Sequence, residues 1–193
     1  LFYASSSHIF GQPETSPQDE ATPIHPANIY GISKSAGMDI CRYYRDRYHM
    51  FIGIGIMYNH ESHLRAKKFV SRKIINAAVQ ISKGGIKNLE IANLSAKADW
   101  GYANDYVLAM EKIVTYSEPT EFIVATGVLH TIRDWAEYAF AQVGLDWKEY
   151  VFESSGAGKL PQVKLCGNAQ KLKDATGWDH SVDFHGLIDE MLS

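Results

Sequence analysis

The sequence predicts an α/β fold, a mostly parallel sheet layered with helices, on three observations. Segments of strand character alternate with segments of helical period along the chain. The run Phe51-Ile52-Gly53-Ile54-Gly55-Ile56-Met57 is continuously apolar and of strand length, the pattern of a strand buried on both faces of a parallel sheet. With 193 residues, 46% of them hydrophobic and 21% charged, the chain can bury one domain-sized core.

The elements follow in order. Leu1-Phe2-Tyr3-Ala4 reads as the end of a buried strand. Residues 11–29 hold four of the six prolines and no helical period, so they form a loop. A helix is expected over 30–48, with Ala36, Ile40 and Tyr44 on one side, and then the apolar strand over 51–57. Val70, Ile74, Ala78 and Ile81 recur at helical spacing before Gly84-Gly85 stops the pattern. A short strand over 89–92 precedes a helix over 105–116, with Val107, Met110 and Val114 expected inward. Residues 122–125 make another strand. Thr131 caps a helix running to Val143, with Asp134 placed to complete a capping box and Trp135 and Ala139 on the buried side. Asn168 is positioned to cap a short helix ending at Gly177, and Leu187, Ile188 and Met191 mark a last helix from about Phe184. There is no internal repeat.

Composition removes several classes of function. A net charge of −3 gives no support for nucleic-acid binding or for a polybasic membrane contact. No apolar stretch approaches the ~20 residues of a membrane span, and the first residues lack a basic-then-apolar signal pattern. Cys41 and Cys166 are far apart and without metal spacing, which reads as two reduced core thiols and no metal site. These features predict a soluble cytoplasmic protein.

The chemistry centres on Tyr30-Gly31-Ile32-Ser33-Lys34, about two dozen residues after the run Ser5-Ser6-Ser7. Residues four apart on a helix project from the same face. An ammonium beside a phenol favours the phenolate, lowering a pKa that starts near ~10. Tyr30 is thereby a candidate acid/base for a sugar hydroxyl, with a serine from a nearby strand end holding the same oxygen. Eleven tyrosines make one such pairing unspecific by itself.

Its surroundings carry more. Ala4-Ser5-Ser6-Ser7-His8-Ile9-Phe10-Gly11, Glu20-Ala21-Thr22-Pro23 and the tyrosine–lysine helix resemble an extended short-chain dehydrogenase/reductase that modifies nucleotide sugars. Within it, Asn59-His60-Glu61-Ser62, Phe69-Val70-Ser71-Arg72-Lys73-Ile74 and Asn93-Leu94-Ser95-Ala96-Lys97-Ala98-Asp99-Trp100-Gly101 are similar to the GDP-mannose 4,6-dehydratase family. Asn104-Asp105-Tyr106-Val107 and Ala125-Thr126-Gly127 continue the likeness in the same order.

The resemblance implies the C-terminal part of a Rossmann-type parallel sheet with a smaller substrate-binding α/β region. It implies NADP as cofactor, NAD as the alternative, a GDP-linked nucleotide sugar as substrate, and a homo-oligomer. By it, Ser6 holds the sugar oxygen, Tyr30 is the acid/base, and Lys34 binds the nicotinamide ribose and tunes Tyr30. The same residues, met without it, would be a capping serine, a half-buried tyrosine and a solvated lysine. His60 and Arg65 match cofactor contacts, although Arg65, near His63, Lys67 and Lys68, equally suits a solvated basic face. Asn59, Val70 and Lys73 match the region that takes the substrate's nucleotide, where a helix N-terminus offers free N–H groups to a diphosphate. Asp99-Trp100-Gly101 and Asp105 read as structural.

Three departures stand against the family pattern. His8 replaces a glutamate that removes the C5 proton and helps water leave from C6. A histidine, with a reference pKa near ~6.5, would do this with reversed charge states. Ala98 and Leu160-Pro161 stand where the family has diphosphate-clamping arginines, and Lys159 or Lys164 would compensate only as point charges. The redox trio suits a 4,6-dehydratase; it also suits a 4-reductase, 4-dehydrogenase or epimerase, and the lost arginines suit a non-catalytic paralogue. No Gly-x-Gly-x-x-Gly or Gly-x-x-Gly-x-x-Gly occurs, so the glycine-rich pyrophosphate turn of such folds is expected upstream of Leu1. Residues 1–193 are accordingly expected to be the C-terminal portion of such an enzyme, binding NADP(H) weakly on their own.

Overall fold

The computed structural model describes residues 1–154 and 164–193. Strand β1 (Phe2–Ser6) runs into a single 3-10 turn, Ser7–Phe10, and the proline-rich loop leads to helix α1 (Ile29–Tyr48). Then come β2 (Gly53–Met57), β3 (Asn59–Glu61), α2 (Val70–Ser82), β4 (Leu89–Ile91), β5 (Lys97–Tyr102) and α3 (Ala103–Val114). The chain continues through β6 (Glu121–Val124), β7 (Leu129–Thr131), α4 (Ile132–Gln142), the one-turn α5 (Trp147–Tyr150), β8 (Val151–Glu153), α6 (Gln170–Thr176) and α7 (Phe184–Leu192). No helix of the described residues is long and apolar enough to cross a membrane.

The principal sheet is parallel, in the order β1-β2-β6. Its register sets Ser6 beside Met57 and Met57 beside Val124, so the C-terminal ends of all three strands emerge on one edge. That edge is where open α/β sheets place their ligands. One face packs Ile54 and Ile56 against Ile9, Phe10, Met38 and Cys41. The other packs Met57, Phe122 and Val124 against Tyr106, Ala109 and Ile113 of α3 and Leu172 of α6. A Cβ on Gly53 would come within 2.6 Å of the Ile113 side chain, so the glycine lets α3 lie directly on β2.

A second core gathers α2, α4 and α7 around β4 and β5, with Ile74, Ala78, Trp100, Trp135, Phe140 and Leu187 at its centre. Here β3 pairs parallel with β5, β5 antiparallel with β7, and β4 parallel with β8. The capping box at Thr131 and Asp134 forms as expected. The strands β3, β5, β7 and β8 were not legible in the sequence: three of them are only three residues long, the six-residue β5 mixes polar and apolar residues and is buried without alternation, and tertiary packing makes them strands.

The orientation of α3 differs from expectation, and that of α1 is set by polar contacts. The stripe Ala36–Ile40–Tyr44 is exposed, with Ile40 at 58% and Tyr44 at 43%, whereas Met38 and Cys41 face the sheet. The reason is visible on the inner face, which is partly polar. Arg42 makes a two-pronged contact with Glu121 of β6, 2.7 Å on each oxygen, and Arg45 donates to the carbonyls of Ile52 (2.7 Å) and Thr120 (2.9 Å). Polarity therefore hid the buried side. On α3, Val107 is exposed and Met110 half-buried, while Tyr106, Ala109 and Ile113 are buried. Asp105 fixes that rotation: its carboxylate accepts from Ser181 Oγ (2.7 Å) and from the amides of Ser181 (3.0 Å) and Val182 (3.2 Å). At α6 the cap residue is Ala169, and the Asn168 side chain accepts from the Gln170 amide at 3.0 Å.

The proline-rich loop is held by one buried glutamine. Gln18 accepts from Tyr58 Oη (2.9 Å) and the Cys166 amide (3.0 Å), and donates to the carbonyls of Thr15 (2.7 Å) and Lys164 (3.1 Å). Every polar atom of the amide has a partner, as burial requires.

Candidate functional site

The sheet edge opens on a cavity of about 490 Å³, lined by the end of β1 with Ser6 and His8, by Tyr30 and Lys34 of α1, by Met57 to His60, by Arg65 and Phe69, and by Met110. Helix α1 reaches this edge because it begins on Asn28, whose side-chain Oδ1 accepts from the Gly31 amide at 2.8 Å. Gly31 then lies against the turn after β1. A Cβ there would sit 2.4 Å from the His8 carbonyl oxygen, which is backbone and cannot swing aside. That close approach carries Tyr30 and Lys34 to the strand end.

Lys34 Nζ donates to the Ala4 carbonyl at 2.8 Å and lies 5.6 Å from the centre of the Tyr30 ring. Tyr30 is half-exposed at 52%, its ring edge-on to His8 at 5.6 Å. Ser6 is buried, and its Oγ accepts from the His8 amide at 3.3 Å, leaving its own O–H to donate. Burial lowers the His8 pKa from its ordinary value.

Also in the lining, His60 Nδ1 is 2.8 Å from the Tyr58 carbonyl oxygen. A carbonyl only accepts, so Nδ1 carries the proton and Nε2 is left as an acceptor. The ring packs on Tyr106 at 5.0 Å. Burial lowers its pKa foremost, and the Arg65 charge adds to this against the pull of the Tyr58 carbonyl. Arg65 Nε lies 3.0 Å from Glu61 Oε2, and its guanidinium stacks 3.5 Å over the Phe69 ring. Glu61 is buried, accepts from Ser71 Oγ at 2.8 Å, and has its pKa raised chiefly by burial.

The cavity thus gathers Ser6, His8, Tyr30, Lys34, Asn59, His60 and Arg65 of the sequence candidates. Lys73 lies outside it: its Nζ donates to the Glu90 carbonyl at 2.6 Å. Val70 opens α2 directly behind Phe69, which has no side-chain cap bond, and is not itself a lining residue. Ala98 pairs with His130 and packs into the second core, away from the cavity. Leu160-Pro161 and Lys159 lie outside the described residues, while Lys164 is exposed and touches Gln18 through its carbonyl. The sequence reading missed Asn28 and Phe69. An Asn two residues before the tyrosine is a helix N-cap signal that could have drawn attention to Asn28.

A parallel sheet whose strand ends meet a tyrosine–lysine helix and a serine defines a Rossmann-type short-chain dehydrogenase/reductase fold. Solved structures agree on the fold: RMD from Pseudomonas aeruginosa complexed with NADPH matches 99% of this chain and 64% of that one at TM-score 0.92 and 20% identity. A dTDP-glucose 4,6-dehydratase from Bacillus anthracis in complex with NAD matches 100% and 60% at TM-score 0.87 and 18% identity. The sequence model of GDP-mannose 4,6 dehydratase matches residues 1–191, and the chain belongs to that family. It is 34% identical to GDP-mannose 4,6 dehydratase 2 of Caenorhabditis elegans over 100% of this chain and 55% of the relative. It is 32% identical to the human GDP-mannose 4,6 dehydratase, over 100% and 56%, and 38% identical to dehydratase 2 of Arabidopsis thaliana, over 99% and 51%. The chain spans about half the length of the curated relatives it matches.

Proposed function

We propose that this chain carries the catalytic and substrate-facing part of an NADP-dependent enzyme that oxidises a GDP-linked sugar at C4, in the manner of a GDP-mannose 4,6-dehydratase. The observation that carries the reading is the convergence of Ser6, Tyr30 and Lys34 at one end of a single cavity, within a chain of that family. Its volume suits a small ligand, and its ammonium, guanidinium and imidazole groups suit the ribose and phosphate oxygens of a nicotinamide dinucleotide. When bound, that cofactor supplies the hydride acceptor.

The chain's own groups do the rest. Ser6 Oγ, its lone pair engaged by the His8 amide, directs its O–H at the C4 oxygen. Tyr30, as the phenolate, takes the hydroxyl proton and becomes the neutral phenol, and the ammonium of Lys34, held by the Ala4 carbonyl, is the counter-charge to the phenolate from which the transfer starts. His60 and Arg65 line the cofactor side, with Asn59 toward the substrate. NAD in place of NADP is the alternative cofactor. The exposed stripe Ile29, Ile32, Ile40 and Tyr43 on α1 supports a homo-oligomer, and the buried free thiols Cys41 and Cys166 support a reducing, cytoplasmic setting.

A second reading, a 4-reductase, 4-dehydrogenase or epimerase, is favoured by one observation: His8 stands at the cavity where dehydration uses a glutamate. The test of the C4 chemistry common to both is Tyr30→Phe. Hydride transfer, followed as nicotinamide absorbance in a single turnover, is expected to vanish with cofactor affinity nearly unchanged. A variant within about threefold of wild type would remove Tyr30 from its role.

A further inference from the structure

His8 lines the cavity and meets Asn28, at the start of α1: Asn28 Nδ2 is 3.2 Å from His8 Nδ1. The orientation of the Asn28 amide is fixed independently, because its Oδ1 is the N-cap acceptor for the Gly31 amide at 2.8 Å. Turning the amide over would set its NH₂ against that N–H and leave the helix uncapped. The group facing His8 is therefore an N–H donor, and Nδ1 must meet it with a lone pair.

We infer that Asn28 is a positioning residue that holds His8 as the neutral Nε2–H tautomer, so that His8 offers the cavity a hydrogen-bond donor and no base. With Nδ1 engaged by Asn28, Nε2 is the ring nitrogen left for a ligand, and in this tautomer it carries the proton. Protonating Nδ1 would press N–H against N–H₂, a repulsion that works in the same direction as burial, which already lowers the His8 pKa. A carboxylate at this place would be an acceptor only. His8 has the opposite polarity: it can bond a hydroxyl or keto oxygen of the sugar but has no lone pair for a proton on carbon. Resting on the reading of this cavity as a sugar-nucleotide site, the consequence is that His8 supports C4 oxidation or reduction and does not act as the base of an elimination. His60, also in the lining, has the reverse tautomer, its Nδ1–H given to the Tyr58 carbonyl, so the two imidazoles present a donor and an acceptor respectively.

The test needs neither cofactor nor sugar, so it stands or falls apart from the proposed activity. The protein is labelled with ¹⁵N in its histidine rings, and His8 is assigned by the signals lost in His8→Asn. At neutral pH the two-bond nitrogen–proton spectrum is expected to show His8 Nδ1 at the unprotonated, pyridine-like shift and Nε2 at the protonated, pyrrole-like shift. Asn28→Asp keeps the oxygen that caps Gly31 but replaces the donor by an acceptor. It is expected to move Nδ1 to the protonated position while circular dichroism stays that of the wild type. Asn28→Ser keeps a cap oxygen on a side chain one atom shorter, which draws its hydroxyl back from His8, and is expected to give both nitrogens averaged shifts. A wild-type His8 with Nδ1 protonated, with both nitrogens protonated or with averaged tautomers would overturn the inference. So would an Asn28→Ser protein that keeps the pure Nε2–H form.

Discussion

Replacing Asp99 by Asn should cost this fold more than any change at its surface. Asp99 is fully buried on β5, and its carboxylate accepts four hydrogen bonds: from Thr126 Oγ (2.6 Å) and the Thr126 amide (3.0 Å) on one oxygen, and from the amides of Gly127 (2.9 Å) and Gly167 (3.2 Å) on the other. Burial raises its pKa, against the pull of these four donors. An asparagine has one acceptor oxygen. Placed toward the glycines, its oxygen keeps both of them, and the Thr126 hydroxyl can turn to accept from the new NH₂. The Thr126 amide is then left facing a donor. One orphaned buried N–H costs about 1–3 kcal/mol, and two retained bonds each lose their charge assistance, about 0.5–1 kcal/mol apiece. The sum is about 2–5 kcal/mol, a large share of the ~5–15 kcal/mol that holds a domain together. In urea the midpoint should fall by about 1–2 M at unchanged slope. The damage should reach the cavity as well, since Asn59 donates to the Asp99 carbonyl at 3.4 Å. An Asp99→Asn protein with a midpoint within about 0.2 M of wild type would show that the four contacts do not carry this load.

Glu121→Gln leaves one acceptor oxygen where the Arg42 fork and Arg45 use two, takes away the charge both guanidinium groups meet, and is expected to destabilise by about 1–3 kcal/mol at neutral pH. Burial pushes the Glu121 pKa up, but the hydrogen bonds and charge of Arg42, then the charges of Arg45 and Lys171, outweigh it and hold the value below the ordinary one. A folded-state pKa below the unfolded one gives stability that is present above the ordinary carboxylate value and lost as pH falls through the depressed one. Acid titration of stability should therefore be shallower in Glu121→Gln, and an unchanged acid limb would contradict the assignment. Gly31→Ala drives a methyl into the His8 carbonyl and is expected to displace the start of α1, costing about 1–3 kcal/mol and most of the activity that depends on Tyr30. A Gly31→Ala protein with wild-type melting and turnover would show that the close approach is not needed.

What the sequence determined by itself is what local chemistry sets. The apolar run over 51–57 had to be a buried strand, the Thr131–Asp134 pair had to open a helix, and a tyrosine and lysine four apart had to share a helix face. The ordered motifs around them were enough to reach the family. Tertiary structure decided which face of each helix is inside. On α1 the apolar stripe faces outward and a face carrying Arg42 and Arg45 turns inward, because the Glu121 carboxylate and the carbonyls of Thr120 and Ile52 wait there to bind the guanidinium groups. Hydrophobic period cannot register a partner some 76 to 79 residues away. The same holds at the site. Ser6, Tyr30 and Lys34 were legible as residue types, but Lys73, legible in the same way, is drawn off to Glu90, and Arg65 is brought in over Phe69. The polarity of His8 was settled by an asparagine twenty residues on, whose amide is oriented by a helix cap, and only the folded chain puts the two side chains face to face.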